Sequence, residues 1–325
     1  MARIFIDGFE TQKWLYTAGG LWENYAGVGH NITTGYETGY CFYIPGNFGI
    51  LYKNLPSAAS YYFGFHYKGT GASGRFIQFL NGSTVLGVVY YSVATGLFSV
   101  YKGDQATWLA TGSIIVPAGN WCHLQISFLP HATTGTFVVK VNGILDINFS
   151  GSTAPSTSDI DKVALYCIGG SATNYWDNFV VDDAAYPGVS RIALLTPSGA
   201  GNSTQWDPSA GSNYACVDEV PYSDADYVYT NIADEVDTYA ASDLPSEAAV
   251  VKCVQVTARA RKEGSGPPNI AIACRTTGGD YYSADQSLQS SFASQSKLWE
   301  TNPGTAAAWT TSEVNAMEIG IKSRP

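Results

Sequence analysis

The chain has 325 residues with 34 Gly, 22 Tyr and 14 Phe, and only 14% of its residues are charged. Such a composition is typical of short β-strands joined by turns, because aromatic side chains suit a pleated, half-buried surface. The length exceeds the usual size of one domain, so we expect two. The formal net charge of −10 repels phosphate backbones, and nucleic-acid binding is therefore disfavoured.

The start of the sequence, MARIFIDGFETQKW, lacks the apolar region and cleavage site of a secretory signal. No apolar run approaches the ~18 residues that a membrane helix needs. The sequence therefore predicts neither standard secretion nor membrane insertion. The six cysteines lack CxxC spacing and fall mostly in apolar runs, so we expect buried, reduced thiols.

Aromatic-rich or alternating runs recur along the first half with turn signals between them. About thirteen strands at this spacing favour an antiparallel sandwich, since each sheet must bury one face against another. In YYFGFHYK (61–68), four aromatic residues alternate with Tyr62, Gly64, His66 and Lys68, which is the period of a strand. The predicted strands are RIFIDGF, GYCFYI, FGILYK, YYFGFHYK, RFIQFLN, VLGVVYYS, GLFSVYK, GSIIV, WCHLQISFL, GTFVVKV, GILDINFS, DKVALYCI and NYWDNFVV.

The polar, turn-rich segment DDAAYPGVS (182–190) predicts an exit into a second domain, which places the two domains at residues 1–188 and 189–325. The second domain opens with a Gly/Ser/Pro-rich stretch and continues with alternating runs, so we expect a smaller β-sandwich. One short helix is predicted, in which Thr310 and Glu313 form a capping box.

The motifs that would indicate an enzyme are missing. The segment GTGASG (69–74) matches GxGxxG but precedes a strand pattern, so we predict a hairpin loop and no nucleotide site. The four histidines form no HExxH motif, and there is no GxSxG. Between Glu37 and Glu219 the chain contains no Glu, and the Asp residues form no closely spaced trio that would provide a glycosidase pair.

Three segments carry a resemblance to a known superfamily: GNWCHLQISFL, GTFVVKVNGILDINFSG and NYWDNFVVDD. They resemble the laminin-G-like branch of the concanavalin A-like lectin/glucanases over roughly residues 1–185. The resemblance implies a concanavalin A-like first domain. Together with the smaller β-sandwich predicted for the second domain, it leads us to expect an all-β protein of two antiparallel β-sandwich (jelly-roll) domains. The Glu-x-Asp-x-(x)-Glu strand of the family's hydrolases is missing, which favours binding or scaffolding over catalysis. The residues that carry the resemblance are Trp121, His123, Val141, Asn142, Gly143, Asp177 and Asn178.

Candidate binding residues follow from side-chain chemistry. The aromatic residues proposed to stack on sugar rings are Tyr61, Tyr62, Trp108 and Trp176, with core packing as the alternative for each. Asp177 is interpreted as a structural anchor of the Asp7–Gly8 turn. Calcium bound by Asp7 and Asp177 is the alternative; no cofactor is otherwise expected.

An acidic stretch without Lys or Arg lies between Arg191 and Lys252. Its ordinary interpretation is a solvated loop, and the alternative is a cation or partner site in which Asp224, Asp226 and Asp234 gather.

The overall layout resembles virion proteins of tailed bacteriophages: a start of M-x-x-I-F-I-D-G-F, a lectin-like sandwich and a Gly/Ser-rich second module. The resemblance implies a non-enzymatic virion protein, either tail fibre, tail tip or capsid decoration, assembled in the host cytoplasm. Its partners would be other virion proteins, further copies of itself in a homo-oligomer, and host-surface carbohydrate. The second domain would serve attachment or oligomerisation. A carbohydrate-active enzyme or binding module and a bacterial adhesion protein remain alternatives.

Overall fold

The computed structural model describes residues 3–12, 20–27, 31–37, 39–45, 49–167 and 172–325. Two compact units are present: the first reaches Ile192, and the second contains Ala193–Pro325. Both units consist of antiparallel strands, and the predicted all-β class is confirmed. No helix in the described ranges has the length and apolar character to cross a membrane.

The described part of the first unit forms two sheets. Its strands are β1 (Arg3–Asp7), β2 (Asn24–Gly27), β3 (Asn31–Thr34), β4 (Tyr40–Pro45), β5 (Gly49–Ala58), β6 (Tyr61–Thr70), β7 (Gly74–Asn81), β8 (Thr84–Ser92), β9 (Leu97–Lys102), β10 (Trp108–Thr111), β11 (Cys122–Leu129), β12 (Gly135–Val141), β13 (Ile144–Gly151), β14 (Ile160–Cys167) and β15 (Thr173–Asp182). The A sheet has the order β13-β12-β11-β6-β15-β4-β3, with β1 also paired to β15. The B sheet has the order β10-β9-β8-β7-β14-β5-β2.

Aromatic rings fill the space between the two sheets. Alternate residues of β6 are at most 1% exposed, namely Tyr61, Phe63, Phe65 and Tyr67. The ring centroid of Phe63 lies 4.9 Å from that of Phe79 on β7, and the centroid of Tyr67 lies 4.1 Å from that of Phe76. The predicted period of two is therefore confirmed for β6, and the face that carries these four rings is the buried face of the A sheet.

A buried hydrogen-bond network joins the sheets within this aromatic layer. Asn174 on β15 is 4% exposed, and its Oδ1 accepts a 2.8 Å hydrogen bond from Tyr67 Oη. Its Nδ2 donates to the carbonyl of Tyr166 on β14 at 3.1 Å. One amide thus links the A sheet to the backbone of the B sheet, and satisfies polar groups that would be costly to bury alone.

The connection GTGASG (69–74) crosses between the sheets. The predicted hairpin is wrong, because β6 belongs to the A sheet and β7 to the B sheet and the two strands do not pair. A Cβ at Gly69 would lie 2.6 Å from Tyr67 Oη and from Tyr91 Cδ1, so the crossing requires glycine there. A strand follows the segment, and the helix that a dinucleotide motif requires does not.

The described strands of the second unit are β16 (Pro197–Thr204), β17 (Asp207–Pro208), β18 (Val228–Tyr229), β19 (Val236–Ala241), β20 (Val254–Ala260), β21 (Asn269–Thr276), β22 (Gly279–Tyr282), β23 (Gln286–Ser287), β24 (Ala293–Trp299) and β25 (Glu318–Arg324). The main sheet has the order β16-β19-β25-β21-β22, with β23 paired to β21; β17-β18 and β20-β24 form separate ladders. A 3-10 helix spans Asn213–Cys216, and the helix α1 spans Thr311–Asn315.

The core of the second unit gathers residues from β20, β21, β24, β25 and α1, including Val254, Ile272, Trp299, Val314 and Ile321. The β20-β24 ladder therefore packs on the main sheet through apolar side chains.

The predicted helix and its capping box are confirmed. Thr310 Oγ1 accepts a 3.2 Å hydrogen bond from the backbone N–H of Glu313, and the N–H of Thr310 donates to Glu313 Oε2 at 2.8 Å. Trp309 and Val314, which flank this turn, are 4% and 2% exposed. The predicted thiols are also found: none of the six cysteines forms a disulfide, and Cys253 alone among them is half-buried while the others are buried.

We expect Tyr67→Phe to lower the free energy of unfolding of the first unit by about 1–3 kcal/mol, because Asn174 Oδ1 would stay buried without its donor. Chemical denaturation at neutral pH measures the change. Tyr90→Phe is the matched control: Tyr90 is half-buried on β8, its ring lies 6.0 Å from that of Tyr101, and we expect a change within about 0.5 kcal/mol. Equal effects of the two substitutions would contradict the inter-sheet role.

Candidate functional site

The face of the A sheet opposite the core carries a second group of aromatic side chains. Because Trp176 pairs with Phe42 and Tyr67 on the buried side, the next register position places Tyr175, Tyr43 and Lys68 together on the outer side. We call the outer-face residues Tyr36, Tyr43, Lys68, Trp121 and Tyr175 the platform. All five are half-buried, so each keeps part of its surface towards solvent.

The rings of the platform are in mutual contact. Tyr43 and Tyr175 stack with centroids 5.2 Å apart, and Trp121 meets Tyr175 edge-on at 6.2 Å. The ammonium of Lys68 lies 4.1 Å from the centroid of Tyr175 and 4.7 Å from that of Trp121. Such cation–π contacts fix the long lysine side chain between the two rings. Together the residues form a preorganised aromatic surface with a positive charge at its centre.

A pair of histidines borders the platform. Tyr36 stacks on His66 with centroids 3.9 Å apart, and His66 lies 5.1 Å from His123, its cross-strand partner on β11. Burial, followed by the nearby charge of His123, lowers the pKa of His66 to about 4. His66 is therefore neutral at pH 7. Its Nδ1 is buried and has no hydrogen-bond partner among the described residues.

Asp177 closes the site on the side of β15. Its Oδ2 accepts a 2.7 Å hydrogen bond from the N–H of Tyr36, and its Oδ1 accepts a 2.6 Å bond from the N–H of Asn178. Burial outweighs these hydrogen bonds and raises the pKa of Asp177 to about 7, with further increases from Glu10 and Asp7. The interpretation of Asp177 as an anchor of the Asp7–Gly8 turn needs correction: its carboxylate holds the segment of Tyr36.

Asp7 has its own structural task. Its Oδ1 accepts a 2.7 Å hydrogen bond from the N–H of Phe9, and its Oδ2 accepts a 2.7 Å bond from Trp22 Nε1. Burial raises the pKa of Asp7 to about 6. The carboxylate oxygens of Asp7 and Asp177 are thus engaged by N–H donors, and no group of three potential ligands from His, Cys, Asp and Glu is found within the described ranges. Calcium binding at Asp7 and Asp177 stays a prediction.

The three aspartates of the acidic stretch have separate partners. Asp224 pairs with Arg259 at 2.6 Å, and Asp226 Oδ1 accepts a 2.9 Å hydrogen bond from Ser209. Asp234 pairs with Arg324 at 2.8 Å and with Lys322 at 3.2 Å. These three carboxylates, which were considered as a cation site, therefore pair with different side chains of the protein.

The four aromatic residues predicted to bind glycans lie in different places. Tyr61 and Trp176 are 1% and 0% exposed, so a sugar ring cannot reach either of them. Tyr62 lies on the outer face of the A sheet and packs edge-on against Tyr186 at 5.1 Å. Trp108 is 58% exposed on β10 of the B sheet, and its Nε1 donates to Thr111 Oγ1.

The sequence alone does not reveal the platform. An exposed ring can be recognised only when the buried face of its strand is known. The alternation in β6 grouped Lys68 with His66 on one face, but gave no sign of which face that was. The contact of Tyr43 with Tyr175 depends on strand pairing across 132 residues of sequence, which no local pattern reports.

No protein-family model matches the chain, and no curated protein sequence matches it. Among solved structures, alginate lyase Aly36B is 11% identical with a TM-score of 0.37, over 50% of this chain and 88% of that chain. The carbohydrate-binding module CBM66 from Bacillus subtilis is 12% identical with a TM-score of 0.34, over 50% and 98%.

Two further structures match the same share of the chain. The exoplasmic/lumenal domain of VIP36, in a Ca²⁺/Man3GlcNAc-bound form, is 10% identical with a TM-score of 0.36, over 52% of this chain and 86% of that chain. A sialidase is 13% identical with a TM-score of 0.36, and the match spans 17% of its length. The two-sheet antiparallel sandwich expected for the first domain is present, and its concanavalin A-like character stays a prediction.

We expect Asp177 to make the stability of the first unit depend on pH. The pKa of Asp177 rises on folding from its ordinary 3.8 to about 7, so the folded state binds the proton more tightly. The stabilising contribution is present below about pH 4 and is lost as pH rises towards about 7. Wild type should therefore lose stability relative to Asp177→Asn across this window, by on the order of 2–4 kcal/mol.

Chemical denaturation of both proteins from pH 4 to pH 8 measures this difference. The comparison cancels the opposite contribution of His66, whose lowered pKa removes stability as pH falls from about 6.5 towards about 4. Asp104→Asn is the control, since hydrogen bonds from Thr107 lower the pKa of this exposed carboxylate. A pH-independent difference between wild type and Asp177→Asn would contradict the prediction.

Proposed function

We propose that the first unit binds carbohydrate on the platform and does not cleave it. The observation that carries this proposal is the contact of Lys68 with the rings of Trp121 and Tyr175 on the sheet face opposite the core. Half-buried rings offer flat apolar surface to the C–H groups of a sugar and lose little entropy on binding. The ammonium of Lys68 then supplies a polar contact that orients the ligand, as in most small-ligand sites.

Two polar side chains, His66 and Gln125, lie beside the rings on the outer face of the A sheet. His66 is neutral at pH 7 and its Nδ1 is buried without a described partner. A neutral imidazole nitrogen can donate or accept a hydrogen bond according to its tautomer. Gln125 lies in register with Gly64 on the same face and is 6% exposed. Since His66 and Gln125 are only 3% and 6% exposed, they would hold the rings in place and would not contact the sugar itself.

The proposal of binding without cleavage rests on how the nearby carboxylates are used. A glycosidase needs two carboxyl groups flanking one bond, one of them able to release a proton. Asp177 has a raised pKa, but its two oxygens accept backbone N–H groups and it is 1% exposed. Asp182 accepts from the N–H groups of Ala184 and Ala185 and lies 3.7 Å from Arg3. Both carboxylates are therefore used to fix the backbone.

For the whole chain we retain the proposal of a non-enzymatic virion component that associates with other virion proteins and with copies of itself. This proposal rests on sequence layout alone, and glycan binding by the first unit is independent of it. In that setting the platform would contact host-surface carbohydrate.

We expect Trp121→Ala and Tyr175→Ala each to weaken glycan binding by about tenfold, because each removes a stacking surface worth on the order of 1 kcal/mol or more. A glycan array identifies ligands of the wild-type chain, and titration of the best ligand measures the loss. Trp108→Ala is the matched control, since it removes an exposed ring from the other sheet. If only Trp108→Ala weakens binding, the platform is not the site.

Reducing ends released in the same array wells test the absence of cleavage. Retention of a glycan without released ends supports the proposal. Release by the wild-type chain would make it an enzyme, and silence in both channels would contradict carbohydrate binding.

A further inference from the structure

Two lysines on the outer face of the A sheet hold their ammonium groups against aromatic rings. Lys68 lies between Tyr175 and Trp121, as described above. The ammonium of Lys140 on β12 lies 3.8 Å from the ring centroid of Tyr186. Among the described residues neither lysine forms an ion pair with a carboxylate.

Several cations elsewhere in the molecule are neutralised by acidic partners. Lys53 pairs with Glu23 at 2.6 Å, and Arg324 pairs with both Asp285 and Asp234 at 2.8 Å. A ring face attracts a cation through its quadrupole but carries no net charge. The ammonium groups of Lys68 and Lys140 therefore keep their charge, and they retain N–H donors for an anionic acceptor.

The two ammonium groups lie on one surface. Val139 and Val141, the neighbours of Lys140 along β12, are 0% exposed, so Lys140 projects away from the core. Lys140 is in register with Gln125, which is in register with Gly64, and Lys68 is on the same strand as Gly64. Two strand spacings and four residues separate the two lysines, or roughly 16 Å between their Cα atoms. An oligosaccharide of a few residues can span this distance.

From this arrangement we infer that the platform selects an acidic polysaccharide, in which one uronate carboxylate pairs with Lys68 and another with Lys140. The inference rests on the proposed carbohydrate binding and names its ligand class. Charge-assisted hydrogen bonds from ammonium to carboxylate are stronger than those to a neutral hydroxyl. The net charge of −10 opposes indiscriminate binding of polyanions, so tight binding of a uronate polymer requires a local cationic site.

The test uses the full chain with polygalacturonate and hyaluronan, each compared with its fully methyl-esterified form. Esterification removes the charge and keeps the sugar backbone. We expect each acidic polymer to bind at least about tenfold more tightly than its ester. Lys68→Gln should remove most of the preference for the acidic form, with Lys140 left as the remaining cation, and Lys68→Arg should retain most of it.

Lys162→Gln is the matched control. Lys162 lies on β14 of the B sheet with its ammonium 5.7 Å from the ring centroid of Tyr52, so the substitution removes the same charge from another cation–π contact. We expect no change in affinity. Thermal unfolding of each variant shows whether the fold is retained, and Lys140→Gln provides a second variant with an expected partial loss.

The outcomes separate this inference from the proposed function. Equal affinity for acid and ester, or retention of neutral glycans alone, would overturn the acidic specificity and leave carbohydrate binding intact. An equal loss from Lys162→Gln would show a general charge effect, and tighter binding of dextran sulfate than of either uronate polymer would overturn the choice of carboxylate. If no glycan of a broad array is retained, both proposals are wrong.

Discussion

Aromatic packing between the two sheets of the first unit determines which residues remain for function. A strand has two faces, and burial of one against the opposite sheet leaves the other outside. In β6 the rings that include Phe63 and Tyr67 pack on β7. Burial of each such ring contributes roughly 1.5–3 kcal/mol. A shift of β6 by one residue would remove these contacts and turn His66 and Lys68 into the core, so the platform and the core share one register.

A bulge in β15 extends this constraint to the edge of the site. Trp176 and Phe179 both face the core and are 0% exposed, although three positions separate them. Regular alternation would place them on opposite faces, and the register shift between Asp177 and Val180 brings both inward. Asn178 adopts a φ of 52° there, a left-handed conformation that asparagine tolerates better than most residues. The Asp-Asn pair that resembled the lectin family thus has a backbone function in this chain.

Features that depend on residues close together in the sequence could be predicted, and features that depend on distant strands could not. Period-two alternation in β6 and the capping box of Thr310 are local patterns, and the sequence alone predicts both. The strand β16 was missed because PSGAGNST has no apolar alternation, and its side chains alternate only between half-buried and exposed. The prediction that Trp176 stacks on a sugar is wrong, and the reason is different. The inward orientation of Trp176 depends on the pairing of β15 with β4 and β6. Local pattern identifies a strand, whereas its outward face is set by distant partners.

The net charge around Lys68 depends on two kinds of neighbour: aromatic rings, which carry no net charge, and carboxyl groups, whose charge depends on their pKa. Burial raises the pKa of three carboxyl groups around Asp177: those of Asp177 and of the half-buried Glu10 to about 7, and that of Asp7 to about 6. A carboxyl group that retains its proton near neutral pH contributes less negative charge beside Lys68 than an ordinary aspartate would. Since rings hold the Lys68 ammonium without neutralising it, a chain with a net charge of −10 can keep a locally positive surface. A polyanion is then attracted by Lys68 at short range and repelled by the net negative charge of the chain at long range. This combination favours a ligand that fits the platform over one that is only charged.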